Sequence, residues 1–538
     1  MYKFFFIKNL VKKSVVVFPY LIGVYPLLFL FNYNKEQLFL DELMIPMLVF
    51  IFIIKILMIF FSKIFNDSKK AGLFLTVLLA ILFFYDNIFD FLVPYRDWPL
   101  LTNLNWFLVP FFILICLVCF IFLKKLEISL TLVKFLNVLG FTLIMFNLFE
   151  ISIYKILKNE NPNKIHLSSK NEIHSKGEIK FSKAHKPLRD IYFIILDAYP
   201  SSKVLMEYYD YDNKQFIDFL KSRGFYIAEN SKANYPSATF LSLASTLNME
   251  YINYLGEGID DLDNFKDREI PYEMIKKNKL VTSLKSYGYK YVHFKSTWGA
   301  TDSNPNADIN FQGPYSIILN KLSTEFIMVI AKSTILREWF KKNNYFSLHR
   351  DVILFNLNKL SDLNEISDSK FIFAHIFSPH PPFVFDANGQ SPDLVDMNYF
   401  GNEWSRKDAF INQLIFINKK IVSAVDKILN DSEIEPIIII QGDHGTCTTC
   451  SSLEGNSAAI GDVTEKMLRE RLNILNAMYL PGGGTNVLYS DISPVNTFRC
   501  ILNFYFGEDL NLLKDKNYYS TYNSPYKFFD ITERGIYK

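Results

Sequence analysis

Cysteine is scarce: five residues in 538, too few for a disulfide framework to be what holds the fold together. Charge of one sign is lacking as well. Lysine and arginine number 57 against 55 aspartates and glutamates, a formal net charge of +2, so nothing in the charge points to a nucleic-acid partner. No internal repeat or low-complexity tract is apparent. What the chain has in excess is apolar and aromatic side chains. Half of its residues are hydrophobic and 16% aromatic, with 52 Phe and 31 Tyr, which is high for a soluble protein. A chain of this length exceeds one ordinary core, so two or more units are expected.

The apolar residues are concentrated in the first 155 positions. Five runs, at 14–31, 43–61, 71–92, 106–122 and 130–154, approach or reach the ~20 residues that cross a bilayer as a helix. Backbone inside lipid must satisfy its own hydrogen bonds, so such runs read as helices. The third carries Asp86 and Asp90, expected to face other helices or to mark the exit from the membrane. The first run follows Lys3, Lys8, Lys12 and Lys13 but has no small-residue cleavage site, so it reads as a retained span and not as a signal peptide. Basic residues alternate between the short loops: Lys63, Lys69 and Lys70 in one, Arg96 alone in the next, Lys124 and Lys125 in the last. That bias places the N-terminus in the cytoplasm and, after five crossings, everything beyond Tyr154 outside it. The expectation is a multi-pass protein of the inner (cytoplasmic) membrane: a transmembrane domain at 1–154, a polar linker at 155–188 holding His166, His174 and His185, and an extracytoplasmic domain at 189–538.

The last part reads as α/β. "IYFIIL", "KFIFA" and "PIIIIQG" are apolar runs without polar–apolar alternation, as strands buried on both faces are. They alternate with amphipathic stretches such as "DAFINQLIFINKKIVSAVDKIL", where Phe410, Leu414, Ile417, Ile421 and Val425 recur at helical spacing. A sheet flanked by helices is expected.

In such sheets ligands sit beyond the carboxyl ends of the strands, and three candidate strands end in metal-binding side chains. "IYFIIL" runs into Asp197, "KFIFA" into His375 with His380 five residues on, and "PIIIIQG" into Asp443 and His444. Singly, each has an ordinary structural role as a cap, a turn or a hydrogen-bonded histidine. Jointly, two carboxylates and up to three imidazoles suit zinc, manganese or magnesium, as one or two ions. A nucleophile is offered by "SKANYPSATFLSLASTLN". Pro236 is disfavoured inside a helix, while Phe240, Leu243 and Leu247 follow at helical spacing, so Ser237 or Thr239 lies near a helix start. There the unpaired N–H groups favour an anion such as phosphate or sulfate, and a neighbouring metal would lower the hydroxyl's pKa.

These pieces, with "RLNILNAMYLPGGG", resemble over residues 189–505 the sulfatase-like branch of the alkaline phosphatase superfamily. Membrane helices followed by an extracytoplasmic catalytic domain look like its lipoteichoic acid synthases and phosphoethanolamine transferases. The resemblance implies an alkaline-phosphatase-like sheet, metal ligands at Asp197, Thr239, Asp443 and His444, and Thr239 as the nucleophile. It implies that His375 and His380 meet a second metal or the transferred group. Three departures stand out: no C-x-P-x-R or S-x-P-x-R pattern, Asp197 where lipid-dependent transferases carry Glu, and no histidine after His444. Asn234, Tyr235, His293, Lys295 and Trp298 are weaker candidates for contacting substrate, while Arg471 and Arg499 read as helix-surface or structural arginines. Cys447 and Cys450, as C-x-x-C outside the cytoplasm, fit a disulfide better than a zinc site. Cys116 and Cys119 read as packing residues of the fourth span.

The function expected is metal-dependent transfer of a phosphorus-containing group, phosphoethanolamine or glycerol phosphate, to a cell-surface glycan or lipid through a covalent Thr intermediate, with a membrane lipid, a cell-surface glycan or both as substrates. Hydrolysis of phosphate or sulfate esters is the alternative. A non-catalytic membrane assembly protein with a degraded site is the competing class.

Overall fold

Among the described residues of the first 160, the regular structure is helix alone. The computed structural model describes residues 15–35, 40–92, 104–160, 188–259, 261–263, 265–313, 330, 334, 345–363, 365–392, 402–449 and 460–537. The three linker histidines lie outside them, as do the side chains of Asp86 and Asp90. The chain divides into two compact units, residues 1–162 with 316–344, and residues 163–315 with 345–538.

The first unit holds α1 (Phe18–Tyr33), α2 (Leu40–Phe65), α3 (Ser68–Leu92), α4 (Leu104–Lys125) and α5 (Leu130–Glu160). Four of these are long and apolar enough to cross a membrane; α1, with 16 residues, is shorter, spanning about 24 Å at 1.5 Å per residue. Its start is fastened by a side chain from another helix. Asn137 of α5 accepts hydrogen bonds from the Val17 and Phe18 N–H groups at 3.1 and 2.8 Å and donates to the Val15 carbonyl at 2.8 Å, satisfying groups that a helix leaves open at its N-terminus. Phe18, Phe65, Phe74 and Leu123 form one apolar cluster, with Cys116 and Cys119 packed against it. Both cysteines are free.

The second unit is built on a seven-stranded sheet in the order β2-β7-β6-β1-β5-β3-β4. The strands are β1 (Ile191–Leu196), β2 (Tyr226–Ile227), β3 (Lys290–Phe294), β4 (Ile309–Phe311), β5 (Lys370–Ile376), β6 (Ile437–Gln441) and β7 (Asn476–Tyr479). β1 lies at the centre, parallel to β5 and β6, with Ile195 level with both His375 and Gln441. β2 and β7 join antiparallel. Every residue of β1, β5 and β6 is buried, which is why these strands show no alternation of polar and apolar residues. The helices are α6 (Ser202–Tyr209), α7 (Lys214–Ser222), α8 (Thr239–Asn248), α9 (Glu269–Lys276), α10 (Lys279–Ser286), α11 (Tyr345–Lys359), α12 (Lys407–Asp431), α13 (Glu465–Leu472) and α14 (Pro494–Phe506). α12 buries Phe410, Leu414, Ile417, Ile421 and Val425, the stripe its sequence spacing marks out. From α14, Phe498 meets Phe193 of β1 edge-on at 4.9 Å.

Candidate metal centre and nucleophile

Because β1, β5 and β6 are adjacent and parallel, the residues that leave them arrive at one edge of the sheet. Asp197 follows β1, His375 ends β5, and Asp443 and His444 follow β6. The two glycines of "GDHG" are there for space. A Cβ on Gly442 would come within 2.3 Å of the Tyr199 carbonyl oxygen, and one on Gly445 within 2.1 Å of that of Glu470. Ala198 takes a left-handed conformation, φ 59°, on the order of 1–3 kcal/mol of strain for a residue with a Cβ. Its N–H donates to Asp443 Oδ1 at 2.9 Å, tying the β1 loop to the β6 loop.

His444 supplies the centre of the arrangement. Its Nδ1 lies 2.9 Å from the Gly445 carbonyl oxygen, which can only accept, so the neutral ring carries its lone pair on Nε2. That atom is 3.2 Å from Thr239 Oγ1, 3.4 Å from Asp443 Oδ2 and 3.7 Å from Asp197 Oδ1. Both carboxylate oxygens are buried and have no hydrogen-bond partner among the described residues, an expensive state for an anion unless a cation satisfies it. Together with His444 they form a buried group whose ligand atoms all lie within 4.8 Å of one another. The donor set of two carboxylate oxygens, one imidazole nitrogen and one hydroxyl fits a divalent cation of the hard-to-borderline kind. Burial foremost, and then the neighbouring Asp443, push the Asp197 carboxyl well above its usual range. Burial, helped by the Arg471 charge, pushes the His444 imidazole well below its own.

Thr239 is the first residue of α8, and Ala238 at the N-cap offers no side-chain acceptor, leaving first-turn N–H groups open to an anion. Thr239 is half-buried. Ser237, the other candidate, is fully buried and its Oγ accepts from the Ser520 N–H at 3.1 Å. The geometry brings Thr239 to the cluster and gives Ser237 a structural partner.

No family model matches the sequence, and no curated protein matches it. Among solved structures, the chain is similar to the C-terminal periplasmic domain of EcEptC from Escherichia coli in complex with zinc, at 12% identity over 65% of this chain and 94% of that one, TM-score 0.41. It is similar to the integral membrane lipooligosaccharide phosphoethanolamine transferase A from Neisseria meningitidis, at 12% identity over 91% and 95%, TM-score 0.38. A 2-O GAG sulfatase resembles it at 13% identity over 60% and 72%, TM-score 0.35.

The remaining candidates fall into place around the cluster in unequal ways. His375 is fully buried and its Nε2 lies 3.1 Å from Asp197 Oδ2; burial lowers its pKa to about 4. His380 stacks on Phe377 at 4.8 Å and lies 6.1 Å from the His444 ring. Two expectations of substrate contact, at Asn234 and His293, are not matched by the local geometry. Asn234 accepts from the Val495 N–H at 2.9 Å and donates to the Lys516 carbonyl at 2.8 Å, so its amide is used in bracing the chain. His293 is not on a rim: it lies buried within β3, with Nε2 on the Thr301 carbonyl and Nδ1 on the Tyr291 hydroxyl, both at 3.1 Å. Lys295 has its main chain bonded to Phe311 and Asn356. Tyr235 is buried, its hydroxyl on Asn253, and Trp298 is buried with its ring edge-on to His375 at 5.5 Å. Arg499 bonds the Met249 and Asn511 carbonyls and is structural.

Arg471 is not a helix-surface residue. It is buried at the end of α13, bonding the Gly445 carbonyl at 2.7 Å and the Ser237 carbonyl at 3.5 Å, so it grips the chain on both sides of the cluster. Burial lowers its pKa to about 10. Its neighbour Glu470, also buried, accepts from Thr446 Oγ1, Thr448 N, Thr449 N and Thr449 Oγ1 at 2.9, 2.5, 3.0 and 2.7 Å. Cys447, in the same loop, is disulfide-bonded; Cys450 lies outside the described residues. Neither Glu470 nor Arg471 announces itself in "MLRERLN", where charges at a helix end read as solvated.

Proposed function

We propose that the chain is a metal-dependent membrane enzyme that transfers a phosphorus-containing group, phosphoethanolamine or glycerol phosphate, from a membrane lipid to a cell-surface glycan or lipid. The observation that carries this reading is a hydroxyl at a helix N-terminus, Thr239 Oγ1, 3.2 Å from His444 Nε2 and beside two buried carboxylate oxygens without partners. Asp197, Asp443, His444 and Thr239 would hold the cation, which when bound lowers the pKa of the hydroxyl and offsets charge on the phosphoryl oxygens. Thr239 Oγ1 attacks phosphorus. The bond from phosphorus to the donor's oxygen breaks, and the threonine proton ends on the departing alcohol. The α8 N-terminus faces the oxygens that carry the negative charge. His380, beside His444, faces the transferred group. An acceptor hydroxyl then repeats the exchange at phospho-Thr239 and restores the threonine. Water in place of that hydroxyl gives hydrolysis instead.

The basic loops support a cytoplasmic N-terminus, five crossings of the inner membrane and a catalytic domain over residues 189–538 outside the cytoplasm. Mass spectrometry of the full chain incubated with membrane lipids tests the reading. An adduct is expected on Thr239, its mass naming the group, and Asp443→Ala should remove both bound metal and turnover of a model phosphodiester. An adduct on Ser237, or an Asp443→Ala protein with unchanged metal and turnover, overturns it.

A further inference from the structure

His375 is fully enclosed, and both of its ring nitrogens are spoken for: Nε2 by Asp197 Oδ2 at 3.1 Å and Nδ1 by Thr301 Oγ1 at 2.8 Å. Neither nitrogen is left for a second metal or a transferred group. We infer that His375 is a positioning residue for Asp197, and that the buried Thr301 hydroxyl sets its tautomer so that Asp197 turns one defined oxygen, Oδ1, toward the cation. The inference rests on the reading of Asp197 as a metal ligand.

Counting protons fixes the direction of these bonds. A carboxylate that binds a cation is ionised and can only accept, so His375 Nε2 must carry a proton. A neutral ring then has its lone pair on Nδ1, and the hydrogen-bonding group there among the described residues is the Thr301 hydroxyl, which must donate. Thr301 Oγ1 in turn lies 2.7 Å from Ser296 Oγ, also buried, whose oxygen also lies 3.2 Å from the Trp298 carbonyl; with its own proton on His375, Thr301 can only accept at the Ser296 contact. The opposite arrangement would put a lone pair of Nε2 against an ionised carboxylate. Thr301 is held by its main chain too, since its carbonyl accepts from His293 Nε2, while the Tyr291 hydroxyl donates to His293 Nδ1. A braced line therefore runs from β3 through Thr301 to β5 and ends on β1. It occupies Asp197 Oδ2 and leaves Oδ1 unpartnered, 3.7 Å from His444 Nε2. An aspartate with one oxygen so engaged binds a cation through the other.

Zinc affinity of the full chain in detergent, measured by competition with a chromophoric chelator, tests this. Thr301→Val removes the donor at nearly constant volume and should weaken zinc binding roughly 10–100-fold, the usual range for a partner that orients a metal ligand. Thr301→Ser, which keeps the hydroxyl, should stay within about threefold of the parent. In a His375→Gln background, where an amide N–H can reach Asp197 Oδ2 whatever stands at 301, Thr301→Val should cost nothing further. A structural role for Thr301 would not make the loss depend on His375 in this way. Parent-like zinc affinity in Thr301→Val, failure of Thr301→Ser to restore it, or an undiminished loss in the His375→Gln background each overturns the inference while leaving the metal centre standing. A parent chain that binds neither zinc, manganese nor magnesium overturns the metal centre itself, and this inference with it.

Discussion

The helical unit and the sheet unit bury different things. On the helices, Phe52, Phe122 and Phe149 are exposed by 61–62% while Asn32 and Asn147 lie within. In the sheet unit the aromatic residues are largely interior, and Asp197, Asp443, His375, His444, Glu470 and Arg471 lie within as well. The polar interior of the first unit is made of amides that join helices: Asn32 donates to Asn147 Oδ1 at 3.3 Å and to Glu150. Such groups can be shared between helices at small cost. The polar interior of the second is charged, lies at one edge of the sheet, and includes two carboxylate oxygens with no partner. A fold gains no stability from buried charge arranged so; a site for a cation does.

The largest effect expected from breaking that contrast is Thr239→Ala. Turnover of a phosphodiester and the covalent adduct should fall by at least about 10³-fold, the scale of losing a positioned nucleophile or oxyanion donor, with helix packing unchanged by circular dichroism. Acid should separate the two units next. His293 and His349 have pKa values lowered by burial to about 4 and about 3, below the unfolded value of about 6.5. Depressed pKa values give stability that is present above pH 6.5 and lost as pH falls through the window toward 4. At pH 5 the loss is about 2 kcal/mol per histidine. All the described histidines belong to the sheet unit, so hydrogen exchange at pH 5 should accelerate there and not in the helices.

Asp197→Asn should abolish metal binding yet stabilise the metal-free protein by about 1–2 kcal/mol. The sign follows from the raised pKa of Asp197: the protonated group is favoured on folding, and that stability is lost as pH rises through the raised pKa. Denaturant midpoints of the metal-free proteins at pH 7 read the gain. The smallest effect belongs to the helices. Asn147→Leu removes one shared amide and should cost about 0.6 kcal/mol in a detergent unfolding titration.

Asp197, Asp443 and His444 were legible because each follows a strand that is an apolar run, and parallel strands deliver their ends to one place. Thr239 was narrower: helical spacing after Pro236 marked a helix start but left Ser237 in contention, and the contact of Thr239 with His444 and the Ser520 N–H on Ser237 part them. His293 and Asn234 misled because a polar residue near a strand end looks alike whether it faces a ligand or braces the chain. Glu470 and Thr301 were not legible at all, and Arg471 only as a helix-surface or structural arginine. Their bonds to Thr446, Thr449, Gly445, His375 and Ser237 span 21–234 residues, and no local period records such pairings.

Hydropathy by itself determined the helical unit, because lipid leaves backbone no partner but its own helix, and it determined the buried strands, because a strand covered on both faces is mostly apolar. Tertiary structure alone decided which polar groups are paired and which are left over. The partners of Asp197 Oδ2 and the absence of any for Oδ1 depend on strand register and on loops meeting from distant parts of the chain, and in that remainder lies the site.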